Sequence, residues 1–188
     1  MALFTGKGDG GTTKLFDSPS GVRISKASAV PEALGSLDEL NSFLGLCKVK
    51  SRESGWYVGT MYPSFEHIVH EIQETLFVIQ AELAGAGKTV AEQKVKWLED
   101  ITNACEVDMP VITTFSIPGG IELSALFDTA RTIARRAERR VVEVVEKKER
   151  EVGEFSRAFL NRLSSTLFAL ARLSNHKSGI KEGAPSYK

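Results

Sequence analysis

Apolar residues recur every three or four positions through most of this chain, and no other feature of the sequence constrains the fold as strongly. Residues at these intervals share one face of an α-helix, so the pattern is typical of amphipathic helices. Because such helices bury their apolar faces against one another, we predict an all-α fold, a ferritin-like up-down bundle of five helices. The predicted helices run over about 36–50, 68–83, 89–105, 122–150 and 154–177.

Local signals mark the ends of these helices. Two starts carry the capping-box pattern, a Ser or Thr followed three residues later by Glu, at Ser36–Glu39 and Thr89–Glu92. Segments 51–64 and 111–120 break the helical spacing and are predicted as loops. The glycine-rich first 25 residues are predicted as an ordered loop with no more than one short strand.

The length and composition bound the organisation of the chain. A chain of 188 residues is long enough for one domain with a real core, so we predict a single domain over 1–188. We divide it into an N-terminal loop (1–30), a helical bundle (31–178) and a tail (179–188). The formal net charge is zero, which gives no general field to attract nucleic acid.

Hydropathy and cysteine content bear on location. No stretch of 18 or more apolar residues is present, so we expect no membrane span. The first residues lack the apolar segment of an export signal, and we therefore expect a cytoplasmic protein. In that setting Cys47 and Cys105 are expected to be reduced thiols in or near the core.

The arginine-rich segment RTIARRAERR (131–140) is the first candidate for function. At about 100° per residue, Arg131, Arg135 and Glu138 fall within about 60° of one another, on a line that borders the apolar face. Arg136 and Arg140 lie well away from that face and fit a solvated surface. Partial burial requires partners for the charges on the bordering line. From spacing alone, a structural ion pair and an anion-binding site remain equally open.

The N-terminal segment FTGKGDGGTTKLF (4–16) is the second candidate. Glycines allow close approach of the backbone, and the amides, threonine hydroxyls and lysines of such a loop can all bind phosphate. Taken alone, the segment also fits a flexible terminus. Together with the arginines, it predicts a polyphosphate held between the terminus and the helix.

Two other patterns have weaker functional interpretations. GAGKT (85–89) resembles the end of a phosphate-binding P-loop, but Glu82 stands where that motif needs a glycine, and a predicted helix precedes it. FEHIVHEIQE (65–74) resembles a di-metal helix, yet its Glu and His residues are in the wrong order. A helix end and a polar outer face explain these segments better, so we assign no metal ligands among the side chains.

Four segments in order along the chain resemble the PduO-type ATP:cob(I)alamin adenosyltransferases. They are FTGKGDGGTTKLF, ALGSLDELNSFLG (33–45), FSIPGG (115–120) with ARTIARRAERRVV (130–142), and FLNRLSSTLFALAR (159–172). The resemblance implies a five-helix bundle that forms a homotrimer with active sites between subunits. It also implies transfer of the 5′-deoxyadenosyl group of ATP to the cobalt of cob(I)alamin, with release of triphosphate. Mg²⁺ is then expected with ATP, and cobalamin is a substrate.

The resemblance also implies roles for individual residues. Arg135 and Phe115 match catalytic positions, and Phe115 matches an aromatic that closes the lower face of the corrin. Asp38 and Arg131 match a pair that bridges neighbouring subunits. The implied ATP-binding residues are Thr5, Gly6, Lys7, Gly8, Thr13, Lys26, Arg135, Arg136, Glu138 and Asn161.

The N-terminal loop departs from the family pattern. Gly6 and Gly10 stand where basic residues are usual, and Phe4 replaces a common tyrosine. A second hypothesis is therefore a helical-bundle protein that holds ATP or cobalamin and delivers it without chemistry. Further expected partners are a cobalamin reductase and an adenosylcobalamin-dependent enzyme.

Overall fold

The computed structural model describes residues 4–188, so the first three residues of the predicted N-terminal loop (1–30) lie outside the described part. It contains five α-helices, which confirms the predicted helical bundle. The N-terminal segment holds two short antiparallel strands, in which Thr12 pairs with Ser25, where no more than one strand was predicted. The elements are β1 (Thr12–Thr13), β2 (Ile24–Ser25), α1 (Ala29–Ser54), α2 (Phe65–Leu83), α3 (Glu92–Val107), α4 (Glu122–Glu146) and α5 (Glu154–Lys177).

Helix α4 lies at the centre of the bundle, between α1 and α5. Helix α2 packs on the outer side of α1, and α3 packs on the outer side of α5. Buried apolar side chains from all five helices form one continuous core. The predicted core face of α4 is confirmed, because its small residues are buried: Ala130, Ala134, Ala137, Val141 and Val144. The two flanks of this face are left for contacts with α1 and α5.

The predicted start of α1 was wrong. The helix begins at Ala29 rather than near Ser36, and Ser36 is buried inside it. Pro31 lies in the first turn, where its missing N–H costs nothing because that donor has no partner within the helix. The capping-box pattern at Ser36–Glu39 is therefore an interior sequence. The helix also runs through Ser54, so the loop predicted over 51–64 begins only at Gly55.

The segment before α3 also differs from its prediction. The helix begins at Glu92 after Ala91, with no side-chain cap, and Thr89 lies outside it. The GAGKT segment follows α2 directly, and no helix begins at Lys88. A P-loop needs a preceding strand and a helix that starts at its lysine, so this geometry contradicts the P-loop alternative. Glu82 instead accepts hydrogen bonds from the Gly153 N–H (2.8 Å) and the Ser156 hydroxyl at the start of α5.

Helix α4 ends at Glu146, four residues before the predicted end at Arg150. Lys148 adopts a left-handed conformation with φ 55°. The Glu149 N–H donates to the Val144 carbonyl and the Lys148 N–H to the Val145 carbonyl, which is the Schellman arrangement. Arg150 is then free to form a two-pronged ion pair with Asp17, which ties the N-terminal segment to the bundle.

Both cysteines lie in the core, as predicted, and neither forms a disulfide. Burial raises the pKa of each thiol to about 12. Since the thiolate is the reactive form, these side chains are packing residues at neutral pH.

No helix within residues 4–188 combines the length and the apolar character needed to cross a membrane.

The left-handed Lys148 gives a prediction about stability. Lys148→Gly should raise the free energy of unfolding by about 1 kcal/mol, because a residue with a Cβ pays roughly that amount in this conformation. Urea titration followed by circular dichroism measures the change. Lys148→Ala is the matched control, since it removes the side chain but keeps the strained backbone. Equal stability of the two variants would contradict the prediction.

Candidate functional site

A cavity of about 490 Å³ lies between α3, α4, α5 and the irregular segment 111–120, which we call the Phe115 loop. It brings together three residues singled out from the sequence: Phe115, Arg131 and Arg135. The Phe115 ring is 76% exposed and stands at the edge of the cavity. An aromatic edge and two guanidinium groups therefore share one concave surface. The other lining residues are Thr102, Glu106, Met109, Ile112, Ser116, Pro118, Asp128, Ser164, Ser165, Phe168, Ala169 and Arg172.

A buried ion network supports one wall of this cavity. Arg172 on α5 is 3% exposed, and its guanidinium donates to the carboxylate of Asp128 on α4. Asp128 also lies 3.5 Å from Nε of Arg131, one turn further along α4. The ring of Phe168 packs against both cations. Its centroid lies 5.0 Å from the guanidinium carbon of Arg172 and 6.0 Å from that of Arg131. These contacts fix Arg131 and Arg172 as structural parts of the site.

Arg135 and Arg139 are both exposed and form no ion pair among residues 4–188, and of the two only Arg135 lines the cavity. Arg136 points the other way, toward α1, where its guanidinium bonds to Glu39. Arg140 likewise pairs with Glu32 at 3.3 Å. Arg136 and Arg140 are thus neutralised by α1, whereas Arg135 lies in the cavity lining without an ion pair among residues 4–188.

Glu138 and Asn161 are joined directly. The Asn161 side-chain amide donates to the Glu138 carboxylate at 3.0 Å, between α4 and α5. Both residues line a second, smaller cavity of about 390 Å³ one turn along from Arg135. Its other walls include Val142 and Arg157. A polar pair beside apolar surface can bind a group that has both a flat ring and hydrogen-bonding atoms.

The N-terminal loop forms a folded cluster of its own. Gly6 has φ 68°, and the Asp9 N–H closes a turn onto its carbonyl. The end of the Lys26 side chain lies close to the backbone at Gly8, where an added Cβ would be 3.0 Å from its Nζ. The side chain of Arg23, which sequence reasoning did not single out, donates to the carbonyl and hydroxyl of Thr12.

Most side chains of this loop point outward. Among the predicted ATP-binding residues, Thr5, Gly6, Lys7 and Lys26 are exposed, whereas Gly8 and Thr13 are half-buried. No residue of the described part of the loop lines the cavity at Arg135. A single copy of the chain therefore does not bring the two predicted phosphate-binding elements together.

Asp38 stands apart from Arg131 within one chain. It is exposed on α1 and forms no ion pair among residues 4–188, while Arg131 faces Asp128. A bridge between Asp38 and Arg131 thus needs a second copy of the chain.

The residues of the di-metal alternative have ordinary partners. Arg52 bonds to Glu66 and holds the pKa of that carboxyl below its usual value, and Lys94 does the same for Glu71. His70 lies 2.9 Å from Nζ of Lys48. Within residues 4–188, no group of three or more His, Cys, Asp or Glu side chains is placed to hold a metal ion.

Sequence reasoning missed Asp128, Arg172 and Phe168. Asp128 lies three residues before Arg131 and so shares its face, a spacing that was available in the sequence. Arg172 stands in the otherwise apolar stretch LFALARL, where a lone charge on a buried face indicates a paired residue. Its partner on α4 lies 44 residues away, and helical spacing carries no information about that pairing.

Comparison with known proteins agrees with this geometry. The family model for cobalamin adenosyltransferase matches residues 3–174. A corrinoid adenosyltransferase of Bacillus subtilis (strain 168) is 39% identical over 191 residues, which cover 96% of this chain and 90% of that protein. The corrinoid adenosyltransferase PduO of Citrobacter freundii is 36% identical over 183 residues, and this chain spans about half of its length (50%).

Solved structures show the same architecture. One is a variant of the PduO-type ATP:corrinoid adenosyltransferase from Lactobacillus reuteri complexed with cobalamin and ATP, with a TM-score of 0.84 and 28% identity. The match covers 98% of this chain and 97% of the Lactobacillus reuteri chain. Another variant of that protein, complexed with ATP, has a TM-score of 0.82 and 29% identity over 97% of this chain and 99% of that one. With its family model, helical bundle and arginine-lined cavity, the chain belongs to the cobalamin adenosyltransferase family.

Proposed function

We infer that this protein is a transferase that moves the 5′-deoxyadenosyl group of ATP onto the cobalt of cob(I)alamin, giving adenosylcobalamin and triphosphate. The family match and relatives complexed with cobalamin and ATP support this function. The observation that carries it is the cavity lined by both Phe115 and Arg135, a cation without an ion pair in the described part of the chain. The aromatic edge of this cavity suits a large apolar ligand, and its guanidinium groups suit a polyphosphate.

The reaction needs little chemistry from the side chains. Cobalt(I) attacks C5′ with its own electron pair, the cobalt–carbon bond forms, and the bond from C5′ to the triphosphate oxygen breaks. That bonding pair leaves with triphosphate, and cobalt becomes formally Co(III). The protein holds C5′ in line with cobalt and stabilises the charge that develops on the leaving group. Arg135 is suited to the second task because no carboxylate among residues 4–188 pairs with it.

Phe115 is proposed to act on the other substrate. An apolar ring against the lower face of the corrin leaves no room for the lower axial ligand. Loss of that ligand removes electron density from cobalt and makes the metal easier to reduce. The exposed position of the ring, at the rim of the arginine cavity, supports this role.

The nucleotide site is proposed to lie between neighbouring subunits of a homotrimer. Arg135, Arg136, Glu138 and Asn161 would come from one chain, and the loop residues around Thr5–Thr13, with Lys26, from the next. The outward-facing loop and its separation from Arg135 within one chain support this arrangement. The pairing of Arg136 with Glu39 means that nucleotide would have to compete for that guanidinium.

Mg²⁺ is proposed to enter with ATP. The described residues offer no ready cluster of protein ligands, which fits an ion held by phosphate oxygens and water. When bound, it would neutralise part of the triphosphate charge. Cytoplasmic location, a reductase that supplies cob(I)alamin and an enzyme that takes up the product remain predictions.

An anaerobic assay tests the proposed function. Chemically reduced cobalamin and Mg-ATP are mixed with the protein, the visible spectrum is followed, and released triphosphate is measured. Appearance of the adenosylcobalamin spectrum with one triphosphate per product is expected. Binding of ATP or cobalamin without a new cobalt–carbon bond would instead support the carrier hypothesis.

Arg135→Ala should lower kcat by about 10²–10³-fold, the usual loss when one donor to a developing negative charge is removed. The same assay measures it. Lys88→Ala is the matched control, because it removes an exposed cation of the rejected P-loop segment and should leave kcat unchanged. Full activity of Arg135→Ala, with the fold intact by circular dichroism, would rule out the proposed role.

Asp38→Ala should weaken the trimer. Truncating one partner of a desolvated charge pair between subunits costs about 2–5 kcal/mol, which should be visible as dissociation in sedimentation-velocity runs at micromolar protein. Asp100→Ala is the control, because this exposed carboxylate on α3 has no ion pair among residues 4–188. A trimer as stable as that of the control would contradict the bridge between Asp38 and Arg131.

A further inference from the structure

The C-terminal tail folds back onto the bundle after α5. Gly179 adopts φ 70°, a left-handed conformation that ends the helix without steric cost and reverses the chain. The Ile180 N–H then donates to the Asn175 carbonyl. As a result the next residues run beside the last turns of α5, next to the Phe115 loop. The family match ends at residue 174, so the tail carries none of the matched sequence.

Glu182 is the residue through which the tail engages the site. One carboxylate oxygen lies 2.7 Å from Nε of the buried Arg172 and accepts a hydrogen bond from Asn175 at 2.6 Å. The other oxygen accepts a hydrogen bond from the hydroxyl of Ser116, at 3.0 Å. The carboxylate thus joins α5 to the Phe115 loop. The backbone adds a second bond, from the Ile117 N–H to the Gly183 carbonyl at 2.9 Å.

The buried positive charge of Arg172 has to be neutralised, and this carboxylate does part of that. A guanidinium does not lose its proton in a protein, so a buried arginine must be neutralised by acidic partners. Asp128 serves both Arg172 and Arg131, which leaves two cations for one carboxylate on α4. Glu182 supplies the second negative charge. The tail is therefore held by the same network that forms the wall of the cavity.

The Phe115 loop depends on such anchors because its own side chains pack little. Phe115 is 76% exposed and Ile117 is 59% exposed. Asn175 holds the far end of the loop, where its side chain donates to the Gly119 carbonyl and accepts from the Ile121 N–H. Next to Phe115 itself, the long-range polar contacts in the described structure are those of Ser116 with Glu182 and Ile117 with Gly183.

We propose that Glu182 is a positioning residue for the adenosyl transfer: it fastens the Phe115 loop to Arg172 and so sets where the Phe115 ring meets the corrin. This role rests on the proposed function. Without the carboxylate, the loop loses its bond at Ser116 and the tail loses its charge partner. The ring would then sample positions away from the cavity, and the defect should fall on use of cobalamin rather than on use of ATP.

Hydrogen–deuterium exchange of the whole protein tests the contact without any assay of activity. In Glu182→Gln, amides of 111–120 should exchange about tenfold faster than in the unmodified protein, because bonds that close the loop are weakened. Amides in the middle of α1 and α2 should be unchanged. Lys181→Ala is the control, as it alters the exposed neighbouring residue of the tail. Unchanged exchange in 111–120 would overturn the proposal.

Kinetics test the consequence. Glu182→Gln should lower kcat/KM for cobalamin about tenfold, which corresponds to the loss of one or two hydrogen bonds. The KM for ATP should change less than about twofold. The fraction of bound cob(II)alamin that loses its lower axial base, read from the visible spectrum, should fall in parallel. A general loss of folded enzyme would lower the rate with both substrates alike, and an unchanged spectrum and kcat/KM would overturn the positioning role.

Ser116→Ala provides a second variant that removes only one hydroxyl. It should reproduce the faster exchange and the cobalamin defect in milder form. Combined with Glu182→Gln, its effect should be less than additive, because both changes break the same contact. Full additivity of the two effects would overturn the proposal. If Glu182→Gln does not fold, the exchange and kinetics of Ser116→Ala alone test the proposal. If the unmodified protein makes no adenosylcobalamin, the proposed function fails, whereas the exchange data still show whether Glu182 holds the loop.

Discussion

The buried guanidinium of Arg172 is the constraint around which the functional end of this molecule is arranged. It lies among apolar side chains at 3% exposure and keeps its charge, so acidic groups must come to it from elsewhere in the chain. Asp128 comes from α4 and Glu182 from the tail. These contacts set the spacing between α4 and α5 along one wall of the cavity. They also connect that wall to the Phe115 loop, which has little core of its own.

The charges around the cavity explain why one arginine remains for a ligand. Arg131 and Arg172 face two carboxylates, those of Asp128 and Glu182. Arg135 lines the same cavity, as does Glu106, but it is exposed and forms no ion pair among residues 4–188. A structural ion pair and an anion site were both open from spacing alone, and the structure supports the first for Arg131 and leaves the second for Arg135.

The features that depend on local periodicity could be predicted from the sequence. The five helices and the buried face of α4 follow from apolar residues three and four positions apart. Helix ends were less predictable, because Pro31 is compatible with a first turn and Lys148 occupies a position that usually favours glycine. Contacts between distant segments were not accessible at all. Glu182 lies in a tail without periodicity, and nothing in its neighbours indicates that it reaches Arg172.

The proposed nucleotide site extends beyond one chain. The loop that carries Gly8 and Lys26 faces outward, and the cavity that carries Arg135 is open to solvent. Symmetric assembly places the same two surfaces opposite each other at every interface, so one contact repeated three times would complete three sites. Within that loop, the backbone at Gly8 and the end of the Lys26 side chain lie close together.

Complementation between two inactive variants tests this central claim most directly. Chains with Arg135→Ala and chains with Lys26→Ala, carrying different tags, are refolded together, and mixed trimers are purified through both tags and assayed. If the loop and the arginine of one site come from different chains, every trimer that carries both tags has one site with two intact halves, which is about one third of its sites. A shared site predicts that activity will rise to about that fraction of the unmodified enzyme. Activity no higher than the average of the two inactive parents would contradict a shared site.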